Sequence, residues 1–171
     1  MKKILLLAVV AIMAISASAQ NWYLGGSIGF NHVKVDDEKT SNFTIAPEVG
    51  YNLNSNWAIG AALDYTWEKD SYNVFTIQPY ARYSFFRTEN NLLSLFVDGG
   101  FGLGFISPDE GDSTTVWSIG LKPGLALNVT EKFSFVAHVG FFGYEDYKEA
   151  GKHTGLGLDF NKLSFGFYYN F

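Results

Sequence analysis

Seven side chains able to carry charge or make strong hydrogen bonds recur through the middle of the chain: Glu48, Asp64, Gln78, Arg82, Asp98, Lys122 and His138. Carboxylates set near cations suit a buried ion network, a proton relay or general acid–base catalysis. Nucleophilic hydrolysis would need serine, histidine and an acid within hydrogen-bond reach. The histidines are His32, His138 and His153, and the nearest approach to a His-x-Ser site, His153-Thr154-Gly155, lacks the serine. No His/Asp/Glu set has zinc-motif spacing such as H-E-x-x-H, and without cysteine there is neither a thiolate site nor a disulfide framework. The glycine-rich run at 99–104 has no helix after it to bind a phosphate and reads as strand. No catalytic residue and no cofactor are therefore expected. Asp109, Glu110 and Asp112 crowd one short segment but lack EF-hand spacing. They read as a solvated loop or as a surface acidic site for a divalent cation or a basic partner.

The elements that must carry these side chains are strands. Residues 57–68 alternate Trp57, Ile59, Ala61, Leu63, Tyr65, Trp67 against Ala58, Gly60, Ala62, Asp64, Thr66, Glu68. Such long period-two runs, each with one wholly apolar face, recur along the chain. Eight strands follow, at 21–33, 42–53, 57–68, 73–85, 92–106, 114–127, 133–144 and 155–171. They are longer than the usual five or six residues and match the roughly 9–11 residues of a tilted membrane strand. Connections after the even-numbered strands are short. Those after the odd-numbered strands, at 34–41, 69–72, 107–113 and 145–154, are charged and mostly longer. That asymmetry is the habit of outer-membrane barrels, with short periplasmic turns and longer outer loops.

Composition agrees. Aromatic residues make up 18% of the chain, with 18 glycines and only 4 prolines, which favours many strands and tight turns. Residues 1–19 read as a cleaved signal peptide. Lys2 and Lys3 precede an apolar stretch too short to span a membrane, and Ala17-Ser18-Ala19 is a small-residue cleavage site. The mature part, 20–171, then carries 10 basic against 17 acidic residues, which argues against nucleic acid as a partner.

An eight-stranded barrel has no room inside for eight files of large aromatics, so the bulky face should meet lipid and the small polar face should point inward. Phe141 belongs to the bulky set by its spacing from Phe133 and Phe135. Trp22, Trp57, Phe85, Phe133 and Phe171 then form one aromatic girdle, and Phe30, Tyr65, Trp67, Phe105 and Trp117 the other. Counted from the periplasmic strand ends, the inward charges fall in one layer about 10 Å thick. A structural network of Glu48, Asp64, Arg82, Asp98, Lys122 and His138 is expected there, because opposite charges held away from water must pair. Inward glycines at 100, 102, 104, 120, 124 and 140 leave free volume, so a narrow channel or a small-ligand cavity stays open as an alternative. A soluble lipocalin-like barrel and a lipid-modifying enzyme are the remaining alternatives.

The last strand alternates Leu163, Phe165, Phe167, Tyr169 and Phe171 to the end of the sequence. Here the chain resembles the small outer-membrane β-barrel family that includes OmpX, Ail and the OmpA transmembrane domain. The resemblance implies an all-β, eight-stranded antiparallel up-and-down transmembrane barrel, monomeric, in contact with outer-membrane lipid and lipopolysaccharide. It further implies that the aromatic terminal strand is the signal read by the barrel-assembly machinery. The role it implies is adhesion, host contact or envelope integrity. Leu156, Leu158 and Phe160 depart from the parity of Leu163 onward, which predicts a bulge near Asn161-Lys162 or a loop extending to about residue 160.

Overall fold

The computed structural model describes residues 21–35, 38–68, 72–108, 113–147 and 155–171. The expected leader, the acidic segment Asp109, Glu110 and Asp112, and His153 lie outside the described residues. Eight antiparallel strands occur among those described: β1 (Trp22–Val35), β2 (Glu38–Asn52), β3 (Trp57–Glu68), β4 (Tyr72–Arg87), β5 (Leu93–Pro108), β6 (Thr114–Asn128), β7 (Phe133–Tyr147) and β8 (Gly155–Asn170). Each pairs with its chain neighbour and β8 pairs back to β1, closing an up-and-down barrel. Closure removes the sheet edges that would otherwise expose unpaired backbone.

The strands run further than alternation alone predicts, most of all in the first hairpin. There the ladder continues through His32↔Ser41 and Lys34↔Lys39 to Val35↔Glu38, so most of the expected 34–41 loop is strand.

Three short connections, 53–56, 88–92 and 129–132, share one end of the barrel, here the turn end. Side-chain oxygens shape each turn. Asn54 Oδ1 accepts from the Asn56 and Trp57 amides, both at 2.9 Å. Thr130 Oγ1 accepts from Phe133 N at 2.9 Å. Thr88 Oγ1 accepts from Leu93 N at 3.0 Å, while Asn91 takes φ 56°, a left-handed conformation asparagine tolerates. Neighbouring turns are tied together as well, through Arg87 Nη2 to Ser55 O at 2.7 Å and Asn128 Nδ2 to Asn91 O at 2.6 Å. The last residues close the ring, with Phe171 N donating to Trp22 O at 3.1 Å.

The outer wall is apolar. Ile28, Leu63, Ile77, Leu103, Ile119 and Phe165 are among its many exposed large side chains. Exposed apolar surface on this scale marks a lipid-facing wall. Aromatic pairs gather towards both rims. Trp57 lies on Tyr83 with centroids 4.7 Å apart and Trp22 meets Tyr51 at 5.2 Å towards the turn end. Trp117 lies 5.0 Å from Tyr144 towards the opposite, loop end.

Phe141 corrects the sequence reading. It faces inward at 7% exposure, while Phe142 takes the outward place. The cause is Gly140, whose φ of 80° lies in the left-handed region. The register slips there against both neighbours, between Leu121 and Gly124 on β6 and between Val139 and Phe141 against β8. On β8 the slip falls between Leu163 and Asp159, so strand and bulge coexist where a change of parity was expected.

Candidate functional site: the barrel interior

The inward face of the turn-end half is built from aromatic rings lodged over glycines. Tyr23 stands opposite Gly50, Tyr80 opposite both Gly60 and Gly100, Phe96 opposite Gly124 and Tyr168 opposite Gly25, each glycine in cross-strand register with its ring. A Cβ on Gly124 would sit 2.5 Å from Phe96 Cζ, and one on Gly120 would sit 2.6 Å from Phe141 Cζ. Glycines 120 and 124 therefore do not leave the free volume their composition suggested; neighbouring rings occupy it. Phe96 is the most buried large side chain, at 1% exposure, and packs with Tyr23, Ala58, Val136 and Tyr168 in the core. A Gly124→Val substitution should lower stability by about 1–3 kcal/mol through overpacking. The part of that loss due to the ring should vanish in a Phe96→Ala background, while the part due to the Ala137 carbonyl, 2.9 Å from the added Cβ, should remain; equilibrium urea unfolding of the four variants would measure both.

On this aromatic floor rests the charged cluster. Arg82 is its hub and is buried. Its Nε and Nη2 grip Asp98 at 2.6 and 2.8 Å in a two-pronged pair. Nη2 also reaches Glu48 Oε1 at 3.3 Å and the Tyr168 hydroxyl at 3.0 Å. The Tyr168 hydroxyl donates to Glu48, 2.9 Å from each carboxylate oxygen. Tyr80 donates to Glu48 as well, so its single proton is engaged and Tyr23 must be the donor in the 2.6 Å Tyr23–Tyr80 contact. The guanidinium carbon lies 4.0 Å from the centre of the Phe96 ring, a cation–π contact. His138 Nε2 donates to Asp98 Oδ2 at 3.0 Å, and its ring meets Phe96 edge to face. Two carboxylates thus share one guanidinium, with the Tyr80 and Tyr168 hydroxyls and an imidazole supplying the further bonds that buried charges need, and Tyr23 backing Tyr80.

Asp64 and Lys122 stand apart from this cluster. Lys122 Nζ lies 3.9 Å from Asp64 and donates to Gln78, and its side chain is a third exposed. The single layer of the sequence reading is therefore two groups: Glu48, Arg82, Asp98 and His138 in one, Asp64, Gln78 and Lys122 in the other. Tyr23, Tyr80 and Tyr168 were missed, because bulky residues had been assigned outward. The available signal was parity, since Tyr23, Tyr80 and Tyr168 share the phase of the small inward residues of their strands.

Above the cluster, towards the loop end, lies a cavity of about 310 Å³ whose lining includes Thr44, Thr66, Thr76, Ser118, Asp64 and Lys122. His138 and Ser164 both border it and are register partners, so a serine and a histidine share a face. Among the described residues no hydrogen bond joins them, and Asp98, the acid on His138, is itself clamped by Arg82. No group of three or more His, Asp or Glu residues among those described could hold a metal ion. On the terminal strand, Leu163, Phe165 and Phe167 face outward, and Tyr169 packs edge to face on Phe133 and Phe171.

The family whose sequence pattern matches is described as the outer membrane protein beta-barrel domain, over residues 4–171. No curated protein matches the sequence. Among solved structures the fold is similar to Neisserial surface protein A, at 19% identity and a TM-score of 0.63, over 88% of this chain and 97% of that one. It is also similar to the N-terminal β-barrel domain of OprF from Pseudomonas aeruginosa, at 16% identity and a TM-score of 0.60, over 90% of this chain and 99% of that one. At such identities the two likenesses speak for the fold alone. The family match and the lipid-facing wall agree: the chain belongs to the outer membrane protein β-barrel domain family and resides in the outer membrane.

Proposed function

We propose that this protein is a non-conducting, non-enzymatic surface barrel that serves envelope integrity or adhesion rather than transport. The observation that carries the reading is the Arg82 cluster on its aromatic floor, packed across the turn-end half of a barrel of only eight strands. Aqueous pores of the porin type use about sixteen. Similarity to a neisserial protein named for its surface location fits the same role. The acidic surface segment Asp109, Glu110 and Asp112 is the candidate contact for a cation or basic partner. In planar bilayers the purified mature barrel should give no steady conductance; long-lived, large open steps would replace this reading with the channel alternative.

The turn end and both chain ends face the periplasm in this proposal, the leader at 1–19 is removed during export, and the barrel works as a monomer among outer-membrane lipid and lipopolysaccharide. Leu163, Phe165, Phe167, Tyr169 and Phe171 present the assembly signal. Deleting Phe171 should cut the yield of folded barrel in cells several-fold while leaving refolding of purified protein into detergent nearly unchanged. Equal losses in both settings would mark Phe171 as a packing residue instead of a signal.

A further inference from the structure

The Arg82 cluster has fewer hydrogens to donate than its acceptors call for, and the shortage falls on Glu48. Arg82 Nη2 carries two hydrogens and has three acceptors within reach: Asp98 Oδ2 at 2.8 Å, the Tyr168 hydroxyl at 3.0 Å and Glu48 Oε1 at 3.3 Å. Glu48 is the farthest of the three. The Tyr168 hydroxyl carries one proton and stands 2.9 Å from both Glu48 oxygens. Among the described residues Tyr80 is thus the one undivided donor to Glu48, and it serves Oε1. An ionised carboxylate has room for about four hydrogen bonds, and at 6% exposure Glu48 draws few of them from bulk water. Oε2 is left with a share of a single proton.

Positive charge is short at the same place. Glu48 and Asp98 bring two negative charges to the one positive charge of Arg82. Lys122 does not make up the difference, because it donates to Gln78 and lies beside Asp64. A second proton on His138 would supply charge without the hydrogen, since the imidazole bonds to Asp98 and, among the described residues, not to Glu48. Glu48, Asp98 and His138 all border the cavity of about 310 Å³. Along β5 that cavity follows the strand from Asp98 to Gly104, six residue steps that rise about 14 Å at about 3.3 Å per residue and about 45° of tilt. Its lining joins the hydroxyls of Thr44 and Thr76 to the apolar side chains of Ala46, Ala62 and Val116. A metal ion does not match this setting. No group of three or more His, Asp or Glu residues among those described could hold one, and a bare ion brings charge without a hydrogen.

We infer that the barrel interior is a binding site for a small primary aliphatic ammonium, its head donating to Glu48 and its hydrocarbon stem lying along the cavity beside Ala46, Ala62 and Val116. Such a head supplies both missing quantities together, three hydrogens and one positive charge. A neutral hydroxyl head would bring a hydrogen without the charge, and an anionic head would add to the carboxylate excess. The inference stands on the cluster and the cavity, not on the proposed surface role. A ligand held in the lumen leaves the barrel non-conducting, so amine binding and bilayer conductance test separate claims.

The probe is butylammonium chloride, titrated into the mature barrel in phosphatidylcholine nanodiscs. In a second sample it is present throughout refolding, so that the outcome does not depend on a route of entry. Nuclear Overhauser contacts should join the butyl protons to the methyl groups of Thr44, Ala46 and Ala62. 1-Butanol and butyrate, of similar size, should bind at least about ten-fold more weakly. Glu48→Gln removes the excess charge and should weaken butylammonium binding by at least about ten-fold. Ala62→Leu, opposite Glu48 in register, should do the same by filling the space with every charge intact. Lys122→Met should keep or strengthen binding, because it removes a competing cation. A gel shift between unboiled and boiled samples reports folding of each variant, and either of the first two that folds is sufficient. Absence of lumenal contacts in the unsubstituted barrel in both samples would overturn the inference, as would undiminished binding in a folded Glu48→Gln or Ala62→Leu barrel. Equal binding of 1-butanol, or loss of butylammonium binding in Lys122→Met, would overturn the assignment of a cationic head.

Discussion

Replacing Arg82 by methionine should destabilise the barrel by about 3–5 kcal/mol, the cost of leaving buried carboxylates without their partner. Glu48 and Asp98 are as buried as the arginine, at 6% exposure each, so the guanidinium and its hydrogen-bonding neighbours stand in for most of the water they would otherwise have. The loss should appear as a lower urea midpoint with little change in slope, followed by tryptophan fluorescence or by the gel shift of the folded barrel. Restoring neutrality should recover much of it: Arg82→Met combined with Glu48→Gln and Asp98→Asn should be more stable than Arg82→Met alone. Lys122→Met is the internal contrast. Its ammonium is partly exposed and 3.9 Å from Asp64, a geometry worth about 0–1 kcal/mol. Equal effects of Arg82→Met and Lys122→Met would mean that the cluster is not the structural hub its bonding implies.

The wall makes the second large prediction. Leu63 lies on the lipid-facing side of β3 between Trp57 and Trp67, at 42% exposure. An arginine there must bring a charge near the middle of the apolar band, at a cost of about 2–4 kcal/mol, whereas Trp67→Arg at the rim should cost about 0–1 kcal/mol for the charge itself. Urea titrations in phosphatidylcholine vesicles would resolve the two. The diagnostic is the gradient with depth; a soluble barrel would show none, because both side chains would face water.

Much of this was legible in sequence because a strand has a period of two. Once Trp57, Ile59, Leu63, Tyr65 and Trp67 occupy one phase, Asp64 must occupy the other, and Arg82 and Asp98 follow by the same rule on their own strands. Strand length, turn asymmetry and the glycine and aromatic content then required a closed membrane barrel of eight strands. Parity assigns a side chain to a face, however, and says nothing about its neighbour. Whether Arg82 meets Asp98 or Asp64 depends on the stagger between strands, which is set when the sheet closes on itself; the observed register puts Arg82 opposite Asp98 and Asp64 opposite Thr76. The same stagger decides that Tyr23 lands on Gly50 and Phe96 on Gly124, so that glycines expected to leave space make room for rings.

Parity also fails wherever a single residue breaks the ladder. Gly140 turns Phe141 from the wall into the interior, and no local preference of phenylalanine could have announced it. By itself the sequence determined which face each regular strand residue presents, because that needs only the two-residue repeat of the backbone. Only the tertiary structure decided which inward groups pair and which glycines are filled, because these depend on the offsets between strands that closure imposes.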